Sequence, residues 1–473
     1  MTSSPDLADH CKPSFAHIKY PVAVTCLSRY WTLLEKARRE DGSISDTNLQ
    51  AALRLAKLKL LLSHRTDNTT GEGKLAVIDS AITLNYEPLQ ERNRALHEEL
   101  VSGHARIIFA IPKHREYMRS GYPSEPILAE AANQILHDWE CKRNPVHVII
   151  NTLIHYNHLL SEEDMGKMVA RSIMSDAYRH AVTKEAGSDR VNFSAGCSAE
   201  AFVKEMFVEK HAEMILKSEP DNIENGQSFG KTFENAVVRF THFITIATNC
   251  TSPKQNWAWT DIAWAAFVRS AAIICPSSRC AVDVIIPILL QRSGKIDECV
   301  MSAILVQIED DIKQGEENDF NVDAKDINLF PEQGPIRPYV SLVMNLGIAQ
   351  SFASQNNSRT KEAASSVPPA TPESIRVDHP SSSNRQMPDA LNSHQRYAFI
   401  ATGCSSVVYK DVKKSEILRL FDADRFRQDS KSIYAEKSLK PVWEPGDYCF
   451  DWVEGNDALR TSESIEEGVK RLL

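Results

Sequence analysis

Cysteine is scarce in this chain, and the few that occur are irregularly spaced. The 473 residues include ten cysteines, none in a Cys-x-x-Cys pair, and the closest two are Cys275 and Cys280. A disulfide framework or a zinc ribbon needs cysteines at short, regular spacings. The sequence therefore predicts reduced thiols in an intracellular protein of the cytoplasm or the nucleus.

The chain also lacks a segment typical of membrane proteins. No stretch reaches the roughly 18 consecutive apolar residues of a spanning helix, and the best candidate, residues 262–275, is interrupted by Arg269 and Ser270. The N-terminus has no basic segment followed by an apolar one, which a secretory signal would have. We therefore expect no membrane partner.

Positive charge is in deficit, because 54 Lys and Arg residues stand against 63 Asp and Glu, for a formal net charge of −9. This balance argues against a surface that attracts nucleic acid everywhere, although one basic groove is compatible with it. The hydrophobic fraction of 42% excludes wholesale disorder. At roughly 100–200 residues per domain, the length predicts about two to four domains.

Composition divides the chain into four parts and predicts an α+β protein. Residues 1–185 repeat apolar side chains at helical spacing, which predicts a mostly helical N-terminal region. Residues 190–350 contain two β-branched runs, which predict an α/β core. Residues 351–393 hold ten serines and five prolines, which predict a disordered linker. Residues 394–473 predict a small C-terminal module that begins with a hairpin.

Three segments between residues 230 and 310 carry the residues of chemical interest. In residues 230–244 the apolar side chains recur at helical spacing, which predicts a helix bearing Glu234. Two β-branched runs follow, the first with the single acid Asp283 and the second ending in Gln307-Ile-Glu309. Such runs are typical of strands covered on both faces, where a polar side chain needs a specific partner.

This order resembles the PD-(D/E)xK, or restriction-endonuclease-like, nuclease core. In that core a helix with Gly-x-x-x-Glu precedes a strand with Asp and a strand ending in (Glu/Gln)-x-Lys. The resemblance implies that Glu234, Asp283 and Gln307 hold Mg²⁺, a cation that prefers oxygen ligands. It also implies that the metal activates a water molecule for phosphodiester cleavage, which the lysine helps to position.

Glu309 departs from this pattern because it occupies the position of the catalytic lysine. The exchange adds an acid to an anionic site and disfavours phosphate by about a few tenths to a few kcal/mol at an effective dielectric constant of about 20. Lys313 or Lys295 could supply an ammonium group instead. We therefore predict a degenerate nuclease-like protein without a cofactor. The alternatives are an active Mg²⁺-dependent nuclease with a relocated lysine, and a protein-interaction scaffold with no nucleic-acid partner.

Each of these residues also has an ordinary structural interpretation, which the sequence leaves open. Glu234 would then be a solvated helix residue, and Gln307 a core amide with satisfied hydrogen bonds. Asp283 would cap a strand or form an ion pair with Arg279 or Arg292.

Four segments, residues 115–132, 230–243, 271–290 and 394–409, resemble an uncharacterised family of mushroom-type fungal proteins. That family shares its architecture with Crinkler-type effectors, in which a P-loop NTPase precedes a nuclease-like region. This chain has no complete P-loop, because Asn68 stands where the first glycine of the motif would be. The resemblance therefore implies that this chain corresponds only to the C-terminal, nuclease-like part of that architecture. Relatives have Gln-x-Lys in the third motif, which implies that the lysine was lost locally at Glu309.

Overall fold

The computed structural model describes seventeen stretches of the chain in two compact units. Of the described residues, those up to residue 138 form unit 1 and those from residue 139 onward form unit 2. The described residues are 46–63, 69–84, 91–110, 119–122, 124–142, 145–156, 162–187, 191–223, 225–245, 259–275, 282–291, 300–309, 322–325, 327–331, 334–347, 373–377 and 394–421.

Unit 1 consists of helices and a two-stranded antiparallel ribbon. Its elements are α1 (Asp46–Leu61), α2 (Gly71–Ile82), α3 (Glu91–Gly103), β1 (Ile107–Ala110), β2 (Arg119–Gly121) and the part of α4 (Pro126–Lys142) up to residue 138. The Thr70 side chain caps α2 by accepting a hydrogen bond from the Gly73 N–H. Almost every residue of α2 is buried, as its apolar sequence predicts.

A buried ion pair joins the elements of unit 1. Arg106, which precedes β1, pairs with Asp79 of α2, and its guanidinium donates to the hydroxyl and the carbonyl oxygen of Ser120 on β2. The Ser120 hydroxyl also bonds to Nδ1 of His97 on α3. Because this network is buried and hydrogen-bonded, it fixes how these elements pack.

Unit 2 is a nine-stranded mixed sheet with helices. Its helices are α5 (Pro145–His155), α6 (Glu162–Ala186), α7 (Ala199–Met206), α8 (Glu209–Lys217), α9 (Phe229–Thr232), α10 (Trp259–Val268) and α11 (Lys414–Phe421). Its strands are β3 (Cys197–Ser198), β4 (Val237–Val238), β5 (His242–Thr245), β6 (Ala271–Ile274), β7 (Val284–Leu289), β8 (Met301–Glu309), β9 (Tyr339–Asn345), β10 (Ser374–Val377) and β11 (Arg396–Thr402).

The sheet has the strand order β10-β11-β9-β8-β7-β4-β3, and β6 and β5 extend it beside the start of β7. Strands β8, β9 and β11 are parallel, whereas β7 is antiparallel to β8. All of β7 and β9 and most of β8 are buried. The prediction of two interior strands at Asp283 and Gln307 is therefore confirmed.

The predicted helix over residues 230–244 is wrong. Only Phe229–Thr232 is helical there, and the chain then forms β4 and β5. Val237 and Val238 pair with β3 on one side and with β7 on the other. The apolar spacing fitted a helix, but β-branched residues with two strand neighbours favour the sheet.

The predicted C-terminal organisation is also wrong in part. Residues 374–377 form β10 inside the range 351–393 that composition assigned to a disordered linker, and β10 pairs with β11. The expected hairpin within residues 394–409 is replaced by this pairing, and β11 also pairs with β9. Residues 394–421 are therefore part of the main sheet rather than a separate module. The rest of that module, residues 422–473, lies outside the described residues.

The coarse class, α+β with a largely helical N-terminal region, is confirmed. The two units divide at residue 138, so α5 and α6 belong to unit 2 with the sheet. Among the helices that the structure describes, none is both long and apolar enough to cross a membrane. Cys197, Cys275 and Cys404 are buried free thiols rather than members of disulfides.

Candidate functional site

Polar side chains gather where the parallel strands of unit 2 end. Glu309 closes β8, Asn345 closes β9 and Thr402 closes β11, and these three residues are neighbours in register. The antiparallel strand β7 begins at the same edge, where Val284 pairs with Val306, so Asp283 just before β7 and Gln307 just after Val306 both lie at this edge. We call the five residues Asp283, Gln307, Glu309, Asn345 and Thr402 the polar edge.

Both carboxylate oxygens of Asp283 are engaged. Oδ2 accepts a hydrogen bond of 2.7 Å from the backbone N–H of Ile308, and Oδ1 lies 3.1 Å from Nζ of Lys167 on α6. The two side chains are only 21% (Lys167) and 16% (Asp283) exposed. Asp283 thus caps a strand and also forms an ion pair with Lys167. Both contacts agree with the ordinary structural interpretation of this residue.

Gln307 and Glu309 contact each other at the end of β8. They are two residues apart, so both side chains project from the same face of the sheet. Nε2 of Gln307 donates to Oε1 of Glu309 over 3.0 Å. The structure therefore brings Asp283, Gln307 and Glu309 to one edge, while Lys313 and Lys295 lie outside the described residues.

Glu234 lies elsewhere. Val237, three residues after it, pairs with Leu289, whereas Asp283 precedes the other end of β7. A strand of that length spans about 20 Å at about 3.3 Å per residue. The Glu234 carboxylate pairs instead with Lys231 at 2.9 Å and is 58% exposed. Glu234 is therefore a solvated surface residue, in a turn rather than in the predicted helix.

Asn345 is a residue of the polar edge that the sequence did not indicate. Its side chain is 1% exposed, and within the described part of the chain neither amide atom has a hydrogen-bond partner. Buried amides are ordinarily hydrogen-bonded. The neighbouring Glu309 and Thr402 are the residues in register with it.

The polar edge does not suit the Mg²⁺ ion that the nuclease resemblance implies. The expected ligand Glu234 is at the far end of β7, and the ammonium of Lys167 already balances the charge of Asp283. In the ranges that the structure covers, no three His, Cys, Asp or Glu side chains are grouped to hold a metal ion. Mg²⁺ requires several oxygen ligands in nearly octahedral geometry.

Lys167 was missed because no sequence pattern joins it to Asp283. It lies in the helix α6, whose neighbouring residues Met165 and Met168 are buried, and the sequence indicated only that apolar face. A lone acid in a buried strand does predict some cationic partner. Which cation meets it depends on how α6 packs against β8.

A comparison with family models gives one match. The model of a domain of unknown function, DUF8736, matches residues 65–364. The matched range is more than half of the chain. The chain belongs to the DUF8736 family. The DUF8736 range contains Lys167, Asp283, Gln307, Glu309 and Asn345, but it ends before β10 and β11. No curated protein and no solved structure matches the chain.

Proposed function

We propose that this DUF8736 protein is a degenerate PD-(D/E)xK-like protein that has a binding or regulatory role and does not cleave phosphodiesters. One observation carries the proposal. The pairing of Val284 with Val306 brings the adjacent residues Asp283 and Gln307 to one edge of the sheet, and Glu309, at the position where the nuclease pattern has lysine, contacts Gln307. Strand β7, which follows Asp283, is thus next to strand β8, which bears Gln307, as the nuclease resemblance implies. The lysine of the (Glu/Gln)-x-Lys motif is replaced by Glu309.

The chemistry of the edge supports loss of hydrolysis. A carboxylate at position 309 repels phosphate, whereas a lysine at this position would attract it. Asp283 makes an ion pair with Lys167 and is therefore a poor ligand for a divalent cation. The remaining role is binding, and we propose nucleic acid or another protein as the partner.

A plasmid-nicking assay with Mg²⁺ tests the proposal on the full chain. We expect wild type to nick supercoiled DNA no faster than Asp283→Asn, a variant that keeps the shape of the side chain and removes its charge. Circular dichroism of both proteins controls for folding. Nicking by wild type that Asp283→Asn abolishes would refute the proposal.

The contact between Lys167 and Asp283 supports a second candidate function, that of an active Mg²⁺-dependent nuclease with a relocated lysine. Here Lys167, 3.1 Å from Asp283 Oδ1, would supply the ammonium that position 309 lacks. This candidate requires nicking by wild type that Lys167→Met and Asp283→Asn each abolish, so the same assay separates the two functions.

A further inference from the structure

We infer that the ammonium group of Lys167 replaces the metal ion at the polar edge, so that the chain supplies its own cation to Asp283. This inference rests on the proposed function, because it explains how a nuclease-like edge is stabilised without Mg²⁺. It predicts that the edge excludes divalent cations as long as Lys167 is present.

The first argument is the geometry at Asp283. Of its two carboxylate oxygens, one accepts the N–H of Ile308 at 2.7 Å and the other faces the Lys167 ammonium at 3.1 Å. A divalent ion that bound Asp283 directly would have to displace one of these groups or approach a positive charge closely. The ammonium is compact and carries three donors, so it can stand where a small cation would.

The second argument is the position of Lys167 on a rigid element. Helix α6 is 25 residues long and packs against α7 and β8. Met165 and Met168, on either side of Lys167, are buried, which anchors this turn of the helix. A tethered cation is always present at a high effective concentration, whereas a free ion must be captured from solution.

The third argument is the charge at the edge. Asp283 directly precedes β7 and Glu309 ends the neighbouring strand β8, so two acids lie at the same edge of the sheet, and the Gln307 amide nitrogen donates to Glu309. Such acids are destabilising near one another unless a cation lies between or beside them. Lys167 supplies such a cation, because its ammonium group contacts the Asp283 carboxylate.

Metal titration of the full chain tests the inference directly. We expect Mn²⁺ to bind Lys167→Met about tenfold or more tightly than wild type, because the competing positive charge is gone. Isothermal titration calorimetry measures this, and a thermal shift with Mn²⁺ or Mg²⁺ provides a second readout. The double variant Lys167→Met/Asp283→Asn should lose the gain.

Two control variants distinguish the effect of the cation beside Asp283 from the effect of removing a lysine charge anywhere on the protein. Lys204→Met removes an exposed lysine that pairs with Glu200 on α7, and it should leave metal binding unchanged. Lys167→Arg keeps a cation beside Asp283 and should also show no gain. If Lys167→Met does not fold, Lys167→Gln replaces it in the same titration.

The outcomes distinguish this inference from the proposed function. Binding of Mn²⁺ to wild type that Asp283→Asn abolishes would overturn the inference, whether or not the protein nicks DNA. A gain in Lys167→Met that persists in the double variant would overturn it as well. Nicking by wild type in the plasmid assay would refute the proposed function instead.

Discussion

Two histidines, one in each unit, are buried in the uncharged form. Burial and the nearby Arg269 lower the pKa of His242 on β5 to about 3. Burial and Arg106 likewise lower the pKa of His97 to about 3. Both imidazoles are therefore neutral in the folded protein over the whole range in which a free histidine titrates.

The pKa of His242 makes the stability of the protein dependent on pH. In the unfolded chain, His242 takes up a proton below a pH of about 6.5. In the folded protein, it stays unprotonated until the pH falls to its lowered pKa of about 3. The stabilising contribution is complete above pH 6.5 and is lost on acidification, by at most about 1.4 kcal/mol per pH unit. We expect His242→Gln to flatten the dependence of the free energy of unfolding on pH between about 6.5 and 4.5.

Urea denaturation at several pH values measures this dependence. A variant that is less stable at pH 7 but follows the same slope as wild type would contradict the assignment. His97→Gln provides the corresponding measurement for unit 1.

At the scale of elements, the turn after β11 depends on a glycine. Gly403 has φ of +103°, and a Cβ there would lie 2.4 Å from Cγ of Glu373. Its N–H donates to the carbonyl oxygen of Asn345 at 2.8 Å, which ties β11 to the end of β9. The position therefore requires both an unusual backbone conformation and the absence of a side chain.

Gly403→Ala should lower the free energy of unfolding by about 2 kcal/mol or more, from backbone strain and steric overlap together. Gly187→Ala is a matched control, because Gly187 also has positive φ, +56°, but no atom lies within 4 Å of its Cβ position. We expect that control to lose only about 1 kcal/mol. Equal losses in urea denaturation would show that the contact with Glu373 is unimportant.

The sequence predicted elements well where a single pattern decided them. Strands β7 and β8 follow from apolar runs rich in β-branched residues, and Asp283 and Gln307 stood out because they are polar in such runs. The segment of β4 and β5 was misread because its apolar spacing fits a helix, while its strand neighbours are remote in sequence. Lys167 could not be predicted for the same reason, since only tertiary packing brings α6 to Asp283.

At the scale of the whole molecule, unit 2 is completed by its last strand. All seven residues of β9 are buried, and β11 pairs along its full length. Arg396, the first residue of β11, makes a buried ion pair with Asp221 after α8, with the closest atoms 2.6 Å apart. Loss of β11 would expose the edge of a buried strand and leave Asp221 without this arginine.

Truncation tests this dependence. A chain ending at residue 393 should lose cooperative unfolding of unit 2 and aggregate, whereas a chain ending at residue 431 keeps every described residue and should retain it. Near-ultraviolet circular dichroism and urea denaturation measure the difference. A cooperative transition in the shorter chain would show that the remaining strands form the core without β11.

The ion pair between Arg396 and Asp221 also has a consequence for biosynthesis. The two residues are separated by 175 positions, so the ribosome must add β11 long after it has made Asp221. Until then β9 has an open edge that other nascent chains could pair with. Such distant contacts slow folding, and we expect newly made protein to depend on chaperones that shield this edge until β11 has emerged from the ribosome.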